Sequence, residues 1–407
     1  MKRIIFIILI TPLFTLSQNK KPDKLKIYLE CWCDKNYLQK EMTYVDFYRE
    51  PQSANLHIIT KGESSSSGGR VVTFRFIGRE TFQGIDNNLT LDIPPNTSQD
   101  SKRKLYLETL NKGIYAYLIK TKDSDKASIT YSKELQLEKE EEKDKWNSWV
   151  FRSSINGSIN GEEGYTSKYY NGRISANRIT EESKFLSNFS FSTSISEFNY
   201  DDFSLVTENK SQYSNITYVK SKGENFSIGA RANFMKSTSY NYDGHYKLSP
   251  CIEYNIFPYS ESSEHIFTIL YGLSANYNDY TDTTVYLKTT ESYGSQLLEL
   301  QYNNRQTWGS LSFSINSNHI LDFENINKYN INIYTNIDWN IAKGLSLDLW
   351  SSMNFDRAQI HLPLNGATYE EIILRQKELE SNYNYYVSMG ISYTFGSMKN
   401  NVVNPRF

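Results

Sequence analysis

Five histidines and three cysteines are the natural places to look for chemistry in this 407-residue chain. His57, His245, His265, His319 and His361 are scattered, and none stands in a recognisable nucleophile motif. A serine hydrolase needs a base within hydrogen-bond reach of its hydroxyl. Serine is so frequent here that a nearby hydroxyl identifies nothing. No Gly-rich phosphate loop, HExxH or CxxC occurs. The reading is therefore no catalytic residue, no cofactor and no metal, with an outer-membrane hydrolase as a distant third choice of function. Cys31 and Cys33 fall on the same side of one strand, with no histidine close in sequence. A structural role follows, as free thiols or a local disulfide, and the odd count leaves at least one thiol over.

The charges inside alternating strands are more informative. Arg152, Arg173, Arg231 and Lys247 share the parity of their Ser/Asn neighbours, as do Glu253, Glu299, Asp338, Asp348 and Asp356. All nine are expected to point into one polar lumen, the two signs tending toward opposite arcs. Salt bridges that brace a narrow, closed barrel are the favoured role. The alternative is a transverse field that orients or selects charged solutes.

The elements that carry these charges set the class. Net charge is −2, so bulk electrostatics give no reason to expect a nucleic-acid partner. Mean hydropathy is −0.58, yet 14% of residues are aromatic, which suits a pleated, half-buried surface. Lys2 and Arg3, the apolar run Ile4 to Leu16, and small residues Thr15 and Ser17 read as a signal peptide cut before Gln18. No long apolar run follows it.

Residues 18–133 read as an α+β domain, expected in the periplasm. "KLKIYLEC" alternates as a strand, and Asp34 caps a short helix over "DKNYLQKEM". "ANLHIIT", "RVVTFRFIG" and "IDNNLTLDI" are further strands. Thr97 and Asp100 suggest a capping box for a helix on which Leu107, Leu110, Ile114 and Leu118 recur at helical spacing. This element order resembles small periplasmic α/β modules such as the N-terminal domain of the translocation protein TolB. Residues 134–147 form a charged linker.

From Trp149 the pattern changes to long strands, one face apolar and the other Ser, Thr, Asn and Gly. Phe226, Ile228 and Ala230 alternate with Ser227, Gly229 and Arg231; Ile331 and Ile333 alternate with Asn332; Leu345, Leu347 and Leu349 alternate with Ser346 and Asp348. That is the grammar of an antiparallel transmembrane barrel, lipid outside and polar within. About twelve strands fit between residues 148 and 396, an even number as bacterial barrels require. Connections after even strands are mostly short. Those after odd strands, such as "NYDDFSLVTENK" and residues 359–382, are expected to be long. This asymmetry puts both chain ends, the tail 397–407 included, on the periplasmic side. Trp146, Trp149, Trp308, Trp339, Tyr383 and Tyr385 fall near strand ends, as interfacial girdles do. Thr368 and Glu371 begin an amphipathic helix in the last long loop, expected to pack over the barrel mouth.

In "SMGISYTF", Ser388, Gly390, Tyr393 and Phe395 match the polar-x-Gly-x-x-apolar-x-aromatic signal read by the barrel assembly machinery. With "IEYNIFPYS", "WGSLSFS", "KGLSLDLW" and "NNVVNPRF", the chain resembles a family of Gram-negative outer-membrane barrels with an N-terminal periplasmic α/β domain. The resemblance implies fold and location; outer-membrane lipid and the assembly machinery are the expected partners, with a periplasmic protein for the N-terminal domain to bind or position, and the alternative is a passive channel for small solutes. The resemblance carries no activity. Read by side, the octet is the expected closing strand, pairing with the first near Phe151–Ile159.

Overall fold

The computed structural model describes residues 24–64, 69–95, 97–124, 144–200, 203–262, 264–322, 327–365 and 381–397, with 399, 404 and 406. The signal peptide, most of the charged linker and the helix expected after Thr368 lie outside the described residues.

In the first unit, apolar alternation and caps act as the sequence leads one to expect. β1 (Lys26–Glu30) buries Ile27 and Leu29 on one face, and α1 (Lys35–Glu41) starts where Asp34 accepts a hydrogen bond from the Tyr37 N–H. β2 (Asp46–Phe47), β3 (Leu56–Ser64), β4 (Arg70–Gly78) and β5 (Asp86–Ile93) complete a sheet of order β2-β1-β3-β4-β5. β1 runs parallel to β2 and β3, and the other pairs are antiparallel. The helix α2 (Gln99–Leu118) begins one residue later than the expected box requires. Ser98 is its cap, accepting from the Ser101 N–H at 3.1 Å, while Asp100 is taken up by Arg103 and Lys104. Two cations at i+3 and i+4 hold that carboxylate on the helix surface, away from the backbone donors.

Leu110, Ile114 and Tyr117 of α2 pack on Ile58, Phe74 and Phe76 in one apolar core. Each fully buried side chain of this size contributes about 1.5–3 kcal/mol. Gly113 permits the close approach, since a Cβ there would lie 1.9 Å from the Phe76 ring. The Tyr117 hydroxyl meets the carbonyls of Phe76 at 3.2 Å and Ile85 at 2.8 Å.

The second unit is an antiparallel meander of twelve strands, each paired with its neighbours in sequence. They are β6 (Trp149–Glu162), β7 (Tyr165–Ile179), β8 (Ser183–Tyr200), β9 (Phe203–Ser221), β10 (Phe226–Ser237) and β11 (Tyr242–Asn255). β12 (His265–Tyr280), β13 (Thr290–Gln306), β14 (Gly309–Ile320), β15 (Tyr329–Ala342), β16 (Leu345–Asp356) and β17 (Tyr383–Tyr393) follow. The hairpin between β15 and β16 turns on Gly344, at φ 73°, where a Cβ would stand 2.1 Å from the Thr394 carbonyl oxygen.

Two expectations are corrected. Residues 199–210 form no long loop: β8 ends at Tyr200 and β9 starts at Phe203, with pairs such as Thr207 opposite Ser196 continuing the ladder. Pairing with β8 takes up backbone groups that a loop would leave to water. Among the described residues, no ladder joins β17 to β6, so the octet does not pair with Phe151–Ile159. β17 is exposed along its whole length, and each terminal strand keeps one unbonded edge.

Replacing Gly113 with Ala should overpack the helix–sheet contact and cost about 1–3 kcal/mol. A lower urea midpoint for the first unit, followed by tryptophan fluorescence in the full chain, would register it. An unchanged midpoint would mean that the Phe76 ring can yield.

Candidate functional site

The ladders put all nine in-strand charges on one face of the large sheet. Arg152 lies opposite Ser175, and Arg173 opposite Ser154 and Ser190. Arg231 lies between Thr217 and Ser249, and Lys247 between Asn233 and Asn276. Glu253 is opposite Ser227, and Glu299 opposite Asn316. Asp338 is opposite Ser310 and Asp348, and Asp356 opposite Asn330.

Four of the nine converge. The Arg231 guanidinium on β10 reaches Glu299 on β13 at 2.6 Å, bridging two intervening strands. Such reach requires the sheet to curl around its polar face. Lys247 donates to Asn318 Oδ1 at 2.7 Å, and the Tyr259 hydroxyl donates to Glu253 at 2.5 Å. A cavity of about 740 Å³ lies against Arg231, Lys247, Glu253, Tyr259 and Glu299. Beside it, Cys251, Leu270 and Leu297 form a small buried apolar cluster, and Ser249 and Ser274 share a hydrogen bond of 2.7 Å. Arg152, Arg173, Asp338 and Asp348 stay exposed and outside this group, and Asp356 is half-buried near the other end of β16.

The histidines are spread through the molecule. His265 contacts Glu261 at 2.8 Å and stacks edge-on to Phe257. His245 meets Asn278 at 2.6 Å, His319 meets Gln296 at 3.2 Å, and His361 packs on Tyr242. Among the described residues, no group of three or more His, Cys, Asp or Glu side chains is placed to hold a metal ion. Cys31 and Cys33 form a disulfide, and Cys251 is a buried free thiol. Ser388 and Gly390 share the polar face of β17; Tyr393 lies on the other, stacked with Phe395.

Sequence reasoning missed a second charged constellation, where the small sheet meets the strand connections of the large one. Arg75 on β4 pairs with Glu264 at 3.0 Å and donates to the Arg305 carbonyl at 3.2 Å. Arg305, at the end of β13, returns a hydrogen bond to the Thr60 carbonyl at 3.0 Å and approaches Glu30 at 3.5 Å. Lys61 donates to the Ser262 carbonyl, and Lys399 in the tail pairs with Asp46 at 2.7 Å. Ile59 and His57, on the sheet face away from the helices, are 1% and 0% exposed. The only local hint was an apolar residue and a histidine at alternate positions of β3, which any buried strand would show.

His57 has no hydrogen-bond partner on either ring nitrogen among the described residues, and its Nε2 is 3.6 Å from Glu30. Burial pushes its pKa down. Glu30 opposes that shift, while the nearby Arg79 and Arg75 add to it. Burial likewise raises the Tyr28 hydroxyl beside it to about 12.

No family model matches the chain, and no curated protein matches it either. Among solved structures it is similar to the translocator domain of the autotransporter NalP from Neisseria meningitidis, at 11% identity over 60% of this chain and 81% of that one. The TM-score is 0.21, so the fold described above rests on its own hydrogen-bonded ladders.

Two outcomes follow for the interface. A histidine whose folded pKa lies below its unfolded value of about 6.5 stays neutral while the opened form takes up a proton. Stability from this burial is therefore full above that value and is lost as pH falls below it through the lower folded pKa. Protection factors in β3, taken against the intrinsic exchange rate at each pH, should fall on acidification, and His57→Gln should flatten the response. Arg75→Ala should loosen the contact by more than the about 0.2–1 kcal/mol of an exposed pair, read as faster proteolysis between the two units. Unchanged cleavage would show that the contact does not hold them together.

Proposed function

We propose that the chain is an integral outer-membrane β-barrel protein whose N-terminal domain is held against the periplasmic ends of the strands and presents a surface to an envelope partner. One observation carries the membrane reading. The face opposite the charges is apolar at alternate positions and open to the surroundings, as at Ile155 (81% exposed), Leu273 (51%) and Met389 (68%). An apolar face of this extent is far larger than a soluble monomer leaves bare, and lipid is the solvent that suits it. In hydrocarbon the free edges of β6 and β17 would leave backbone groups unpaired, so this reading requires those N–H and C=O groups to be covered.

The docking supports one orientation. Glu264, Arg305 and Gly344 all lie at the end of the sheet where the small domain sits. If the N-terminal domain is exported, that end would face the periplasm. Its β1–β3–β4 face is occupied by the strand connections, so an external protein partner would meet the helical side, where Trp32 is 88% exposed. Ser388, Gly390, Tyr393 and Phe395 would be read by the barrel assembly machinery during insertion. No nucleic acid enters this reading.

A second reading, a passive channel for small solutes, is favoured by the cavity at Arg231 and Glu299. The nine charges would then line its path.

Membrane fractionation and heat-modifiable gel mobility test the first proposal. Extraction without detergent, or a mobility that heating does not change, would overturn it. Leu273→Arg near the middle of β12 should cost about 2–4 kcal/mol if that face meets lipid, seen as less heat-modifiable protein. Planar-bilayer conductance tests the channel, which no current above background would exclude. Capture of an envelope protein by the full chain, lost in Trp32→Ala, supports the partner surface.

A further inference from the structure

The polar face carries groups that neither salt bridges nor a simple charged pore uses. Asn316, Asn332, Asn354 and Asn384 occupy one register row across β14, β15, β16 and β17. The Asn354 amide donates to Asn384 Oδ1 at 2.6 Å. Two residues along each of β15 and β17 stand Tyr334 and Tyr386, facing Ser352. Trp350, in register with Asn336 and Ser388, lies between these two rings. Its centroid is 5.9 Å from Tyr334 and 4.8 Å from Tyr386, both edge-on, and its Nε1–H donates to the Tyr334 hydroxyl at 2.8 Å.

These rings are on the face of Asp348, away from lipid. Trp350 is still 37% exposed and Tyr386 57%. Three large aromatic side chains on an otherwise Ser/Asn surface leave apolar area in water that the fold does not need. Rows on one face are about 7 Å apart, so amides and rings fall within the span of one sugar. A pyranose has a flat C–H face that covers an aromatic ring and a rim of hydroxyls that both donate and accept. Asparagine amides offer both roles as well. Fixed charge nearby is acidic, from Asp338, Asp348 and Asp356, which disfavours anions.

We propose that the amide row Asn332–Asn354–Asn384 and the Tyr334–Trp350–Tyr386 rings form a binding strip for neutral saccharides. It rests on reading this face as the wet interior of a barrel. The rings supply a stacking platform, and the amide row fixes the hydroxyl pattern. Because the row crosses several strands, a chain of sugars would contact more of it than a single ring does.

The test is calorimetric titration of the full chain in detergent with glucose, maltose and maltohexaose, alongside heat-modifiable mobility of every sample. The expected result is saturable binding that strengthens with sugar length. Trp350→Ala should weaken it about tenfold, near 1.4 kcal/mol, whereas Trp350→Phe should keep most of it. Asn354→Ala should also weaken it, so the strip remains testable where one ring variant misassembles. No heat from any sugar with a heat-modifiable chain would overturn the strip alone. Heat from tetramethylammonium and none from sugars would overturn it in favour of an organic-cation site. Loss of heat-modifiable mobility in the unaltered chain would overturn the interior reading and the strip with it.

Discussion

Backbone pairing between consecutive strands is the constraint on which the rest depends. Each of the twelve strands finds its donors and acceptors in the strand just before or just after it. Sequence order and spatial order therefore coincide, and no crossover has to be built. Period-two geometry then sorts every side chain to one of two faces. A slip of one residue would carry Arg231 or Glu299 into the apolar face and Ile228 or Leu298 into the polar one. The alternation itself fixes register.

Curl converts that sorted face into a site. A flat sheet would separate β10 from β13 by about 14 Å at normal strand spacing, beyond the reach of a paired Arg231 and Glu299. Their 2.6 Å contact means that side chains from separated strands point toward a common interior. The same curl buries Ser249, Ser295 and Asn278, whose polar atoms bond the side chains of Ser274, Asn276 and Tyr280. Such packing braces the β10–β14 part of the wall, while Arg152 and Arg173 on β6–β7 and Asp348 on β16 stay exposed.

The small domain obeys a different rule. Its helices cover one sheet face with a dense apolar core, and the other face must find a cover elsewhere. The strand connections of the large sheet supply it, through Arg75, Glu264 and Arg305 rather than through apolar bulk. Reciprocal bonding, each arginine meeting a carbonyl across the contact, leaves little of the buried backbone unpaired. His57 is left there as a buried ring with no hydrogen bond on either nitrogen among the described residues.

The strand number, the antiparallel order and the shared face of the nine charges were legible in the residues, because parity along a strand is a local property. The Asp34 cap and the apolar face of α2 were legible for the same reason. The cap at Ser98 was missed by one position, since Thr97 and Ser98 are chemically equivalent until the chain direction is known. Local pattern also carried no information on how far β8 and β9 extend, because polar hairpin ends and polar loops have one composition. Grouping four charges and excluding five is set by curvature, which no single strand encodes. The docking of Arg75 on Glu264 joins residues 189 positions apart, and Trp350 meets Tyr334 and Tyr386 only through strand register. Sequence by itself determined which side of the wall each residue takes; tertiary structure alone decided which residues meet, because distance across a curled sheet depends on the whole ladder.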